Sequence, residues 1–256
     1  MLESYIKNRL QEKKILLMTH IVIGYPSLEE SYHIVEKMVA AGVDLMELQI
    51  PFSEPMADGP VILKANQVAL DQGITLSDCI SFAEKASKQF DIPFLYMTYY
   101  NILYKYGVEK FAAKIKESGI QGAIIPDLPP EEGQSYIQAM QANDLSPIFI
   151  YSPNTSQERM QLLADSGSGF IYCVARKGVT GRETDFTHEL GDYLERCRQA
   201  TKLPLAVGFG VKNRQDVQYL SGKADIAVIG SQTIRLVEEE GVEAVTDFIS
   251  NLREDN

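Results

Sequence analysis

A closed parallel (β/α)8 barrel, the TIM-barrel architecture, is the fold this sequence predicts, and three observations predict it. Strand-like and helix-like segments alternate from end to end, the pattern of a parallel sheet covered by helices. Eight such pairs fit into 256 residues, close to the roughly 250 that one such barrel takes. No Gly-x-Gly-x-x-Gly turn follows the first strand, where an open doubly wound sheet for dinucleotides would carry one. Gly24-Tyr25-Pro26 stands there instead. No linker, low-complexity tract or shift of composition interrupts the chain, so residues 1–256 are expected to form a single barrel domain.

Taken in order, residues 1–10 are charged and patterned as a short N-terminal amphipathic helix. Strand segments fall at 16–22, 44–50, 93–97, 122–125, 147–150, 169–174, 204–207 and 225–229. The helix at 28–41 gathers Tyr32, Ile34, Val35, Met38 and Val39 on one side, and that at 107–118 gathers Val108, Phe111, Ala112 and Ile115. Spacings of three and four residues make such apolar stripes. Two extra helices go beyond the eight units, one at 76–90 after that at 60–72, the other at 241–253.

Composition narrows the function. Hydrophobic residues make up 45% of the chain, enough for a large core. The formal charge is −11 and the pI about 4.8, which argues against nucleic acid or an anionic membrane as partner. The N-terminus lacks the apolar centre of a signal peptide, and no apolar run is long enough to span a bilayer, so a cytoplasmic protein is expected. Cys79, Cys173 and Cys197 are odd in number and far apart, and read as three reduced thiols. His20, His33 and His188 share no metal-ligand spacing, and no metal is expected. His33 falls on a helix and reads as exposed; His20 ends the first strand, where it either faces the site mouth or, the preferred reading, serves structural packing.

One stretch carries most of the chemistry: Glu47-Leu-Gln-Ile-Pro-Phe-Ser-Glu-Pro-Met-Ala-Asp58-Gly-Pro-Val-Ile62. Strand alternation puts Leu45, Glu47 and Gln49 on one face and Met46, Leu48 and Ile50 on the other. A parallel strand normally buries Val or Ile on both faces, and an acid there needs a partner or a purpose. Asp58 follows just before Gly59-Pro60 opens the next helix. Two carboxylates at the exit of one strand point to acid–base chemistry.

A phosphate site is expected across the mouth. Val207-Gly208-Phe209-Gly210 follows the seventh strand and Ile229-Gly230-Ser231 the eighth, the loops that hold phosphate in many barrels. Glycine lets the backbone approach an anion closely, and Ser231 is placed to donate its hydroxyl and cap the next helix. The loop Ala175-Arg-Lys-Gly-Val-Thr-Gly-Arg-Glu, with Gly178 and Gly181, is long enough for a lid. Lys177 there reads as a solvated lid charge before a Schiff-base nucleophile. Asp127 reads as loop support. For Tyr99, Tyr100 and Tyr172, core packing and a place in the pocket compete on even terms.

With these motifs assembled, the chain resembles the tryptophan synthase alpha chain family over nearly its whole length. The stretch 47–62 is similar to the family pattern E-L-G-x-P-F-S-D-P-x-A-D-G-P. The likeness continues through Gly24-Tyr-Pro, Tyr99-Tyr-Asn101, Asp127-Leu-Pro, Lys177-Gly-Val-Thr-Gly181, Gly208-Phe-Gly210 and Ile229-Gly-Ser231. The resemblance implies a barrel lyase that cleaves indole-3-glycerol phosphate by a retro-aldol reaction to indole and glyceraldehyde 3-phosphate. It implies Glu47 and Asp58 as the catalytic pair, and phosphate contacts at Gly181, Gly210, Gly230 and Ser231. Thr180 would be the lid threonine, with Tyr172, Phe209 and Tyr99 in the lid and pocket. No cofactor is implied for this chain; pyridoxal phosphate belongs to a beta chain, and an alpha2beta2 heterotetramer is the implied assembly. Gln49 departs from the family's Gly, and is expected either to crowd the indole pocket or to hydrogen-bond to the acid. Glu54 replaces the usual Asp in the loop implied to face the beta chain. A phosphosugar aldolase using a Lys177 imine, or a non-catalytic activating subunit, are the rival readings.

Overall fold

The computed structural model describes residues 2–175, 188–208 and 210–253. Eight parallel strands close into one barrel, each paired with its sequence neighbour and β8 (Ile226–Ile229) returning to β1 (Leu16–Val22). The others are β2 (Leu45–Gln49), β3 (Phe94–Met97), β4 (Gly122–Ile124), β5 (Ser146–Tyr151), β6 (Ile171–Val174) and β7 (Leu205–Gly208). The predicted strands are all present, several trimmed by a residue or two at their ends.

Alternation along the strands divides the apolar residues into two layers. Leu16, Met18, Leu45, Leu95, Ile124, Ile148, Ala206, Ile226 and Val228 fill the barrel interior. Leu17, Ile21, Met46, Leu48, Ile50, Phe94, Tyr96, Ile171 and Val207 face outward under the helices. Burying each such side chain contributes about 1.5–3 kcal/mol, so the strand parity, and with it the direction of Glu47, is fixed by many residues at once.

The helix α1 (Leu2–Arg9) sends Leu2 and Ile6 into the interior layer and closes one end of the barrel. Asp44 ties that end together. It is 1% exposed, accepts the Leu17 amide at 3.0 Å, and pairs with Arg9, Lys13 and Arg253. The opposite end, where the strands finish, is left to the site.

Helices α2 (Leu28–Ala40), α3 (Pro60–Asp71) and α4 (Leu76–Gln89) follow the first two strands. Their starts obey local chemistry: Ser27 accepts the Glu30 amide, Pro60 opens α3 behind Gly59, and Thr75 with Asp78 forms a reciprocal capping box. The extra helix after residue 72 is therefore α4. The α5 (Tyr100–Tyr106) and α6 (Val108–Glu117) helices follow β3. α5 was not foreseen: Tyr99-Tyr100-Asn101 has no N-cap side chain of its own. Asp127 supplies one from another loop, accepting the Tyr100 amide at 2.9 Å, so the support role expected for Asp127 holds. The remaining helices are α7 (Gln134–Ala142), α8 (Gln157–Ser166), α9 (His188–Ala200), α10 (Arg214–Leu220), α11 (Ser231–Glu240) and α12 (Ala244–Leu252). Among the described residues no helix is long and apolar enough to cross a membrane. All three cysteines are buried free thiols.

Candidate active site

The site grows out of β2. Glu47 and Gln49 point inward with Leu45, as the alternation requires, and both are buried, Glu47 at 4% exposure. The chain then turns through Pro51 and returns Asp58 to the same place, 8% exposed, immediately before α3.

Three anchors hold that turn. The Gln49 amide donates from Nε2 to Asp58 Oδ2 at 2.6 Å. The Asn66 side chain, on α3, accepts the Phe52 amide at 2.9 Å and donates to the Ile62 carbonyl at 2.9 Å. The Tyr99 hydroxyl accepts the Ala57 amide at 3.1 Å, and its ring stacks on Phe52 at 5.1 Å between centroids. Tyr99 itself is buried in the interior layer. It supports the Asp58 turn from beneath and is not among the residues lining the cavity. The hydrogen bond expected from Gln49 to Glu47, the acid two residues before it, is not the one found: the side chain donates to Asp58 instead.

Glu47 has its own partner. His20 on β1 is its register mate across the strand pair, and His20 Nδ1 lies 2.5 Å from Glu47 Oε1. The packing role expected for His20 is therefore incomplete: its imidazole sits in the site against an acid. The signal was present in the sequence, since His20 shares strand parity with Leu16 and Met18 and is two residues past the latter.

The electrostatics follow from this burial. Burial pushes the His20 imidazole down, but the charge and hydrogen bond of Glu47, with smaller contributions from Asp58 and Gln49, outweigh it and hold the group above its ordinary value. Burial raises the Asp58 carboxyl, opposed by the Gln49 hydrogen bond and by His20 and Tyr99. Burial keeps the Tyr172 hydroxyl far above its usual range, so it stays neutral.

One cavity unites most of the predicted residues. Glu47, Asp58, Tyr172, Gly210, Gly230 and Ser231 all line it, with His20, and with Met97, Ile124, Ile150 and Val228 as an apolar wall. Lys212 and Arg235 also reach it, which the sequence reading missed. Arg235 lies four residues past Ser231, one turn along the same helix. Thr180, Gly181 and Phe209, together with Lys177 and Gly178 of the expected lid, lie outside the described residues.

The two glycine loops behave differently. Gly210 has φ +139°, a backbone state that an L side chain resists. Gly230 is the N-cap of α11 and supplies no side-chain cap bond, so the first amides of that helix open on the cavity. Ser231 is thus the first residue of α11 instead of its cap. Gly208 was expected to approach an anion. In the structure it makes room for Tyr172, because a Cβ there would lie 2.3 Å from the phenol oxygen.

Two buried acids, a neutral phenol and an apolar wall on one side, and uncapped helix amides with cations on the other, suit a ligand with an aromatic body and an anionic tail. Among the described residues no group of three His, Cys, Asp or Glu side chains is placed to hold a metal.

The sequence profile of the family described as "Tryptophan synthase alpha chain" matches residues 6–254. A protein of that name from Syntrophotalea carbinolica is 64% identical over 253 residues, covering 99% of this chain and 100% of that one. A tryptophan synthase structure from Mycobacterium tuberculosis superposes with a TM-score of 0.92 at 28% identity, over 98% of this chain and 96% of that one. A tryptophan synthase complex from Pyrococcus furiosus matches at a TM-score of 0.85 and 28% identity, over 93% and 97%. With a closed barrel, both acids in one cavity and a relative of such identity across its full length, this chain belongs to the tryptophan synthase alpha chain family, whose members cleave indole-3-glycerol phosphate.

Proposed function

We propose that Glu47 and Asp58 carry out the retro-aldol cleavage of indole-3-glycerol phosphate to indole and glyceraldehyde 3-phosphate. The observation that carries this reading is their meeting in one cavity with Gly210, Gly230 and Ser231. The phosphate sits on the α11 amides and at Gly210, and the resemblance assigns a further contact to Gly181. Such helix-end interactions contribute up to roughly 2 kcal/mol when partly buried, so several donors have to converge in a chain of charge −11. Anchored there, the substrate lays its indole along Met97, Ile124 and Ile150, with C3 at Glu47 and N1 at Asp58.

The electrons of the breaking C–C bond need a place to go. Among the described residues Glu47 Oε2 has no hydrogen-bond partner, and it is the oxygen that delivers a proton to C3, which turns the ring into an indoleninium cation. The bond from C3 to the neighbouring carbinol carbon then breaks into the ring, restoring indole. The carbinol hydroxyl becomes the aldehyde and gives its proton back to Glu47. Asp58, ionised, accepts the indole N–H and stabilises the ring cation. Its turn is held before substrate arrives by Gln49, Asn66 and Tyr99, so little reorganisation is needed during reaction. The resemblance assigns Thr180 and Phe209 to the lid and pocket.

The reaction needs no cofactor on this chain. Its partner is a tryptophan synthase beta chain that holds pyridoxal phosphate, in a cytoplasmic alpha2beta2 heterotetramer. The test is indole formation by Glu47→Gln, with and without beta chain. General acid–base groups contribute about 10²–10⁴-fold, and kcat is expected to fall at least about a thousandfold while the protein stays folded. Wild-type turnover by that variant would remove Glu47 from the reaction.

A further inference from the structure

We propose that His20 is the positioning partner of Glu47: it fixes one carboxylate oxygen, aims the other at the ring, and shares custody of the proton that Glu47 delivers. This rests on the assignment of Glu47 as proton donor above.

Geometry comes first. His20 and Glu47 are Cα register partners on adjacent parallel strands, so their side chains leave the barrel wall side by side. Nδ1 and Oε1 are 2.5 Å apart, and the residues are 3% and 4% exposed. Among the described residues, the second atom of each group, His20 Nε2 and Glu47 Oε2, is buried with no partner at hydrogen-bond distance, the Gln49 side chain acting on the imidazole only as a weaker influence. Leaving such an atom unmet costs about 1–3 kcal/mol. An apolar side chain would fill the space beside Gly230, whose Cβ position lies 3.8 Å from His20 Cβ, without that cost. Packing therefore does not account for an imidazole here. A hydrogen bond that leaves Oε2 as the free oxygen does.

The proton count then follows. With Nδ1–H donating to Oε1, a proton on Oε2 is delivered to C3, and the same Nδ1–H stabilises the carboxylate that results. Oε2 then takes the hydroxyl proton, and the pair returns to its starting state. Moving the proton from Oε2 to Nε2 gives imidazolium beside carboxylate, a form with the same number of protons. The one-proton state is the working one. It is lost as pH rises through the value at which the pair gives up that proton. Among the described residues, the charged or titratable groups that line the cavity with His20 are Glu47 from β2, Asp58 from the turn before α3, Tyr172 from β6, Lys212 after β7 and Arg235 from α11; Glu47 and Asp58 are the ones that raise it. Tyr172 is held neutral by burial. The raised His20 titration, driven by Glu47 against burial, extends the one-proton state to higher pH than an isolated imidazole would.

Two variants and the pH profile of kcat/KM test this in the full chain. His20→Asn keeps an N–H donor at the position of Nδ1 but cannot titrate. We expect indole formation within about tenfold of wild type at its optimum, with the alkaline limb displaced to lower pH because the imidazole, whose titration is raised, no longer helps to hold the proton. His20→Leu removes the donor as well, and kcat is expected to drop at least a hundredfold with KM changed less than threefold. A His20→Asn profile that superposes on wild type, or a His20→Leu enzyme with wild-type kcat, overturns the proposal. Should His20→Leu not fold, the His20→Asn profile decides alone. Glu47→Gln separates the two levels of failure. If it turns over normally, both assignments fall. If it is inactive while His20→Asn keeps the wild-type limb, the one for His20 falls by itself.

Discussion

Replacing Gln49 by Ala probes how Asp58 is held. Gln49 is fully buried and donates to Asp58 Oδ2 at 2.6 Å, and hydrogen bonds to a charged group are worth about 1.5–3 kcal/mol. At 1.4 kcal/mol per decade, that is roughly a tenfold to hundredfold change in the population of correctly placed, ionised Asp58. The direction with pH can be fixed as well. Burial raises the Asp58 carboxyl and the Gln49 hydrogen bond lowers it, so removing Gln49 lets it rise further. Asp58 acts as a carboxylate, so activity is lost at a higher pH on the acid side. The loss of stability should be smaller than the loss of rate, because Gln49 Oε1 is buried without a partner at hydrogen-bond distance among the described residues and its removal relieves that cost. The assay is kcat/KM for indole formation against pH in wild type and Gln49→Ala. Both share the titration of the substrate phosphate, so the difference between profiles isolates the protein. A variant with the wild-type value and an unmoved acid limb would refute the claim that Gln49 holds Asp58.

Two further changes separate the ends of the site. Asp58→Asn preserves an acceptor for Gln49 but has no charge; we expect kcat to fall about 10²–10³-fold with KM within a few-fold, and a normal rate would exclude ring-charge stabilisation by Asp58. In Gly208→Ala the new methyl lies 2.3 Å from the Tyr172 hydroxyl, so the ring has to move; KM is expected to rise at least tenfold with a stability loss of about 1–3 kcal/mol, and an unchanged KM and melting temperature would contradict that packing.

Much of this was legible before the fold was known, for a physical reason. Strand parity is enforced by burial on both faces of a parallel barrel, so Glu47 could point only inward once Met46, Leu48 and Ile50 faced the helices. The Gly230-Ser231 pair was legible because a helix must begin there, and its amides need an acceptor. The same parity applied to His20, but no rule of spacing says that a histidine on β1 meets a glutamate on β2; that needs the pairing register. Helix α5 was missed because its cap, Asp127, comes from 27 residues away. Gly208 was misjudged because its neighbour is a side chain on β6, invisible to local reading.

The most direct test is a crystal structure of the Glu47→Gln variant soaked with indole-3-glycerol phosphate. The indole should lie between the side chains at 47 and 58, its N–H on Asp58 and its C3 facing the residue at 47, with the phosphate on the amides at Gly230 and Ser231. A substrate bound with its phosphate there but its ring turned away from both positions would contradict the account.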